Sequence, residues 1–177
     1  QAQRFRLGCL LRQRAADGMV TVLTPHPLEA ARLLGCHSTE IQQDRMAAAN
    51  ALASKYQCMI VLKGSGSICV LPHILPVAHQ NRGTSAVINF SGNARLATPG
   101  AGDVLAGCMG AYWAQAHATV PGNTPESAWK TAWRACCSAV HAHGRMADIW
   151  NEHEPVMQGA LSAQRLAQGL HRPHPAI

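Results

Sequence analysis

The sequence contains no apolar run near the roughly 18 residues that span a bilayer. Residues 1–6 are polar and basic, with no apolar core or small-residue cleavage site after them, so no secretory leader is expected. Membrane insertion and secretion are thereby disfavoured, and the cytoplasm is the expected compartment. No Cys-x-x-Cys pair occurs among Cys9, Cys36, Cys58, Cys69, Cys108, Cys136 and Cys137. An odd set of thiols among apolar neighbours predicts reduced core cysteines rather than a disulfide framework. Aromatic residues make up only 5% and charged residues 14%, and the basic residues are scattered without an aromatic-laced stripe. That argues against nucleic-acid binding. The net charge of +6 suits solubility and a mild attraction for anionic nucleotides. No metal cluster is legible either. His141 and His143, two residues apart, would face different sides of a helix. His153 lies between two glutamates, and all three histidines are expected on the surface.

What is present is a hydrophobic fraction of 47% over 177 residues, enough for one domain with a core, with residues 171–177 as a loose tail. The chain opens on Gln1, and residues 1–14 read as the middle of a helix. A fragment of a longer protein is therefore expected. Residues 19–23 predict a buried strand, and 27–34 a helix opened by Pro27 and closed by Gly35. Thr39 and Gln42 suggest a capping box for a helix over 40–56. Strands are expected at 58–62, 67–71 and 86–90, the first two as a hairpin or a tight return, with a loop, with or without one weak strand, over 72–84. A helix over 102–116 carries Gly107 and Gly110, which suggest close packing on a sheet. Further helices are expected from Thr124 to about 147 and over 160–170. Trp129, Trp133 and Val140 read as a core stripe. Alternating strands and helices imply an α/β fold with a mainly parallel sheet.

The chemistry concentrates in Gly100-Ala101-Gly102-Asp103. Small residues admit a ligand to the backbone, and the helix that follows presents open amides and its positive end. Such a turn suits a phosphoryl group in flight. Asp103, in the first turn, can take the proton of an attacking hydroxyl. A turn of Lys63, Gly64, Ser65, Gly66 and Ser67 follows a strand and offers phosphate or ribose contacts. It lacks the spacing of a Walker A loop. His26, in Thr24-Pro25-His26-Pro27-Leu28-Glu29, sits at a strand's carboxyl end, where α/β sheets gather ligands.

Together these motifs resemble the ADP-dependent NAD(P)H-hydrate dehydratases, a branch of the ribokinase-like superfamily. The resemblance rests on Thr-Pro-His-x-x-Glu at 24–29, Lys-Gly-x-x-Ser at 63–67, and Gly92-Asn93 with the block Ala97–Gly107. It spans about residues 20–170. Thr-Pro-His-x-x-Glu separates the dehydratases from sugar and vitamin kinases. Ala94-Arg95-Leu96 and Ala101 depart from the usual residues at those places. The resemblance implies a ribokinase-like domain of which this chain is the C-terminal part, lacking N-terminal strands. It implies dehydration of hydrated NADH or NADPH driven by ADP, with ATP as the alternative nucleotide, the ADP reaction yielding AMP and phosphate and Mg2+ serving as the counter-ion. Asp103 would be the base and the amides of Gly100, Ala101 and Gly102 the phosphoryl cradle. His26 and Asp103 would contact the hydrated dinucleotide. Residues 63–67 and Gly102 would contact the adenine nucleotide. An NAD(P)H-hydrate epimerase, fused or separate, is the implied partner, and the exposed sheet edge suggests a homo-oligomer. A sugar or vitamin kinase, or an inactive nucleotide-binding fragment, are the competing readings.

Overall fold

A computed structural model of the chain describes residues 2–72, 86–119, 124–150 and 159–170. The predicted loop at 72–84, with its weak strand, the polar segment around His153 and the C-terminal tail lie almost wholly outside these residues. In chain order the elements are α1 (Ala2–Ala16), β1 (Val22–Leu23), α2 (Pro27–Leu34), α3 (Ser38–Gln43), α4 (Arg45–Tyr56), β2 (Met59–Leu62), β3 (Ser67–Val70) and β4 (Ala86–Asn89). A single 3-10 turn (Ala94–Leu96) leads to α5 (Ala101–Thr119), α6 (Pro125–Asp148) and α7 (Ala163–Leu170).

The strands lie in the order β1-β2-β3-β4, in one open sheet with helices on both faces. β2 is buried along its whole length, and its side chains alternate between two cores. Ile60 and Leu62 join Ala30, Ile41, Leu52 and Tyr56 under α2, α3 and α4. Met59 and Val61 face Leu105, Met109, Trp129, Cys136 and Val140 of α5 and α6. The core stripe expected from Trp129, Trp133 and Val140 is therefore present. A third cluster joins Ala101 to Met146, Trp150, Leu161 and Leu166, fastening the start of α5 to the end of α6 and to α7.

The described part of the sheet is less parallel than expected: only β1–β2 is parallel, while β2–β3 and β3–β4 are antiparallel. The four-residue turn after Leu62 is too short for a crossover and permits only a hairpin return. The helix expected over 40–56 is broken at Asp44, which ends α3 and caps α4 through the Ala47 amide at 2.8 Å. Glu40 accepts from the His37 amide at 2.7 Å, so the box uses these residues rather than Thr39 and Gln42. The first strand is shorter than expected, covering Val22–Leu23. Gly107 and Gly110 do not mediate close packing: among the described residues, nothing lies within 4 Å of the place a Cβ would occupy.

Candidate active site

The register of the parallel pair brings the first two motifs together. Leu23 is opposite Ile60, and the Lys63 amide donates to the Pro25 carbonyl at 2.9 Å. His26 and Lys63 therefore leave the carboxyl ends of adjacent strands side by side. His26 caps α2: its Nδ1 accepts from the Glu29 amide at 3.3 Å, while Glu29 Oε2 accepts from the His26 amide at 2.8 Å. Thr-Pro-His-x-x-Glu is thus first a capping box. With Nδ1 accepting, the neutral ring carries its proton on Nε2, which lies 3.6 Å from Glu29 Oε1. Glu29 also reaches Lys63, with Oε2 3.9 Å from Nζ.

Lys63, Gly64, Ser65 and Gly66 form the β2–β3 turn, and Gly66 takes a left-handed φ of 65° there. Arg45, at the start of α4, supports the turn from beneath by donating to the carbonyls of Ser65 and Leu62. Burial lowers the pKa of this guanidinium, and among the described residues its Nε has no hydrogen-bond partner. A Cβ on Gly64 would stand 2.8 Å from Arg45 Nη2, so the glycine lets the guanidinium pass under the turn.

Lys63 crosses to the start of α5. A Cβ on Gly102 would stand 2.9 Å from Lys63 Nζ. The ammonium thus sits at the positive end of a helix, and among the described residues it donates no hydrogen bond. A cation beside open amides is favourable when an anion lies between them. Gly100 turns the chain into α5 with φ 85°, a left-handed value that suits glycine. The three amides expected to cradle phosphate are not equivalent. Ala101's is engaged by the Thr98 carbonyl at 3.2 Å, because the turn entering α5 closes on itself. Those of Gly100 and Gly102 make no hydrogen bond among the described residues.

A cavity of about 520 Å³ joins these parts. His26, Lys63, Gly64, Ser65 and Ser67 line one side, Ala101 and Gly102 another, and Asn93 and His143 a third. Gly66, Gly100 and Asp103 stand at the margin, outside its lining. Asp103 is exposed on the first turn of α5.

The floor is built by α6, whose part the sequence did not reveal. His143, expected on the surface, is only 6% exposed, and its Nε2 lies 3.0 Å from the Ala101 carbonyl oxygen. Burial lowers its pKa, the Ala101 contact opposes this, and Lys63 adds to the lowering. His143 belongs to the buried stripe of Trp129, Cys136, Val140 and Ala147 at helical spacing, and that spacing is the signal that identifies it. His141 is exposed as expected. One turn on, the Asp148 carboxylate accepts from the Gly92 amide at 3.0 Å, and Asn93 donates to the Ala147 carbonyl at 2.9 Å. Ser91 Oγ donates to the His141 carbonyl at 3.0 Å. A Cβ on Gly144 would fall 2.6 Å from the Ser91 backbone. Among the described residues, no three His, Cys, Asp or Glu side chains form a metal site.

An open α/β sheet flanked by helices, with Lys63 and the start of α5 at its carboxyl edge, is a ribokinase-like fold. A family model described as NAD(P)H-hydrate dehydratase matches residues 10–171, and the chain belongs to that family. It is 36% identical over 143 residues to the ADP-dependent (S)-NAD(P)H-hydrate dehydratase of Neisseria meningitidis, covering 81% of this chain and 40% of that protein. It is 38% identical over 128 residues to the bifunctional NAD(P)H-hydrate repair enzyme Nnr of Escherichia coli, covering 72% of this chain and 20% of that protein. The crystal structure of the ADP/ATP-dependent NAD(P)H-hydrate dehydratase of Bacillus subtilis, co-crystallised with ATP and Mg2+, superposes with a TM-score of 0.64 at 28% identity. The match covers 86% of this chain and 46% of that one. The chain spans less than half the length of these relatives.

Proposed function

We propose that this chain carries the phosphoryl-transfer part of an ADP-dependent (S)-NAD(P)H-hydrate dehydratase, which repairs hydrated NADH and NADPH. The observation that carries the reading is the Lys63 ammonium lodged against Gly102, at the open end of α5, in a cavity that His26 also lines. Water is a poor leaving group, and the chemistry proposed replaces it with phosphate. A phosphoryl group passes from ADP to the ring hydroxyl, leaving AMP; the C–O bond then breaks to release phosphate while the neighbouring ring carbon loses a proton to solvent, which restores the double bond of NAD(P)H. Lys63 and the amides of Gly100 and Gly102 bind the phosphoryl oxygens, with Ala101 serving through the backbone shape of the turn. Asp103 accepts the hydroxyl proton. His26, proton on Nε2, donates to the hydrated dinucleotide. Gly64, Ser65, Gly66 and Ser67 contact the adenine nucleotide, whose phosphates would carry any magnesium. ATP can replace ADP at a site that grips chiefly the end of the phosphate chain.

The reading also places the protein beside an epimerase that converts the other hydrate epimer, supported by the bifunctional Escherichia coli relative. Seven free cysteines suit a reducing compartment such as the cytoplasm. The test is turnover of hydrated NADH by the full natural protein, followed by NADH absorbance and phosphate release. ADP-driven turnover is expected. Phosphorylation of a sugar or vitamin alcohol by ATP, with no turnover of the hydrate, would instead make it a kinase. Nucleotide binding without either reaction would make it a binding protein.

A further inference from the structure

Resting on the dehydratase reading and deepening it, we propose that His143 is a positioning residue that holds the Ala101 carbonyl and thereby aims the Gly102 amide at the transferring phosphoryl group. A carbonyl oxygen only accepts, so the 3.0 Å contact requires the proton on His143 Nε2 and leaves Nδ1 bare in the neutral ring. The Ala101 carbonyl and the Gly102 N–H belong to one planar trans peptide unit and point in opposite directions. Fixing one therefore fixes the other. The Ala101 carbonyl, at the first residue of α5, belongs to the helix ladder, which holds it along the helix axis, and His143 adds a hold from the side of α6. The Gly102 amide itself makes no hydrogen bond among the described residues, and glycine is the most permissive residue type in a helical first turn, so this second hold narrows the plane that the ladder alone leaves free to tilt. Gly102 is also the residue packed against Lys63 Nζ.

The histidine itself stands on a rigid base. Cys136, Ala139, Val140, Met146 and Ala147 are buried around it along α6, and Gly144 is pressed against Ser91. Packing alone would be served by leucine. A buried imidazole carries a desolvation cost unless its polar atoms are engaged, and the polar atom engaged here is the one facing α5. Burial, reinforced by the Lys63 charge, keeps the ring neutral, which preserves one defined tautomer rather than a second cation beside Lys63.

The experiment compares His143→Leu and His143→Gln in the full natural protein. Glutamine keeps an N–H donor of similar reach, while leucine keeps only bulk. In His143→Leu, kcat is expected to fall by about 10- to 100-fold, less than the ~10²–10³ lost when an oxyanion-hole donor is deleted outright. The KM values for ADP and hydrated NADH should stay within about two-fold, and His143→Gln should recover most of kcat. An unchanged kcat in His143→Leu, a loss confined to KM, or a loss that glutamine does not recover would overturn the proposal. Nitrogen-15 NMR supplies a readout independent of activity. His143 should show a protonated Nε2 and a bare Nδ1. The shift of the Gly102 amide on titration with ADP should shrink in His143→Leu and persist in His143→Gln. A protonated Nδ1, or an unaltered Gly102 response in His143→Leu, overturns the positioning role whatever the activity. The expected NMR pattern in a wild-type protein that does not turn over hydrated NADH would instead overturn the dehydratase reading and keep the positioning role for another acceptor.

Discussion

At the scale of single residues, the sequence separated polar groups that meet a ligand from those that hold the backbone only in part. Asp103 is exposed on the first turn of α5, beside the open amides but clear of the cavity lining, and the proposed function makes it the base. Asp103→Asn is expected to lower kcat by about 10²–10⁴, the range for a general base, while leaving ADP affinity in place. Equal turnover by the two proteins in the NADH assay would remove Asp103 from the mechanism. Gly144 is a different case. A methyl group there would meet the Ser91 backbone at 2.6 Å, and backbone cannot swing aside as a side chain can. Gly144→Ala should destabilise the fold by about 1–3 kcal/mol, the usual cost of overpacking, seen as a lower midpoint in urea unfolding. His26, Lys63, Ala101 and Gly102, singled out from contiguous motifs, do line one cavity. His143 was not legible in that way, because its neighbours in space, Ala101 and Lys63, lie 42 and 80 positions away, and its burial follows from a helical stripe rather than a motif.

At the scale of elements, helices with strong end signals were the most legible. Pro27–Leu34 and Pro125–Asp148 begin with proline after a capping residue, and their starts fall where the sequence puts them. Thr124 caps the longer one through the Ser127 amide at 3.2 Å. The pair α3 and α4 was misread as one helix because the alanines of 47–53 favour helix strongly and no glycine or proline separates them from 38–43; the break comes from the Asp44 side-chain cap on the Ala47 amide. The His-x-x-Glu pattern illustrates the limits of motif reading. It occurs at His26 and again at His37, and Glu29 and Glu40 both reach back to the histidine amide. Only the first meets Lys63, so sheet register rather than the pattern makes it part of a site. The glycines of α5 were misjudged because a glycine in a helix permits close approach without requiring it. Gly107 and Gly110 are open on the described surface, and Gly107→Ala should stabilise this chain by about 0.5–1 kcal/mol, measurable as a higher thermal midpoint.

At the scale of the whole molecule, the two cores share β2, and the site lies where both end at its carboxyl edge. His143 makes global stability depend on pH with a definite sign. Its folded-state pKa is lowered by burial, so the unfolded chain binds the proton first as pH falls. The contribution is complete above the unfolded value of about 6.5 and is lost as pH drops through the folded value. Unfolding midpoints at about pH 7.5 and 5 should therefore differ less in His143→Gln than in the wild type, and an identical difference would place the titration elsewhere. The register of β1 on β2 has one more consequence. The strands that carry His26 and Lys63 are joined through α2, α3 and α4, so their pairing closes a long stretch of chain. A slip of one residue would turn Lys63 to the opposite face and leave Gly64 beside His26. Under the proposed function, a bound diphosphate would therefore act as a proofreader of assembly, recognising the correctly registered chain and, by mass action, enriching that form during refolding.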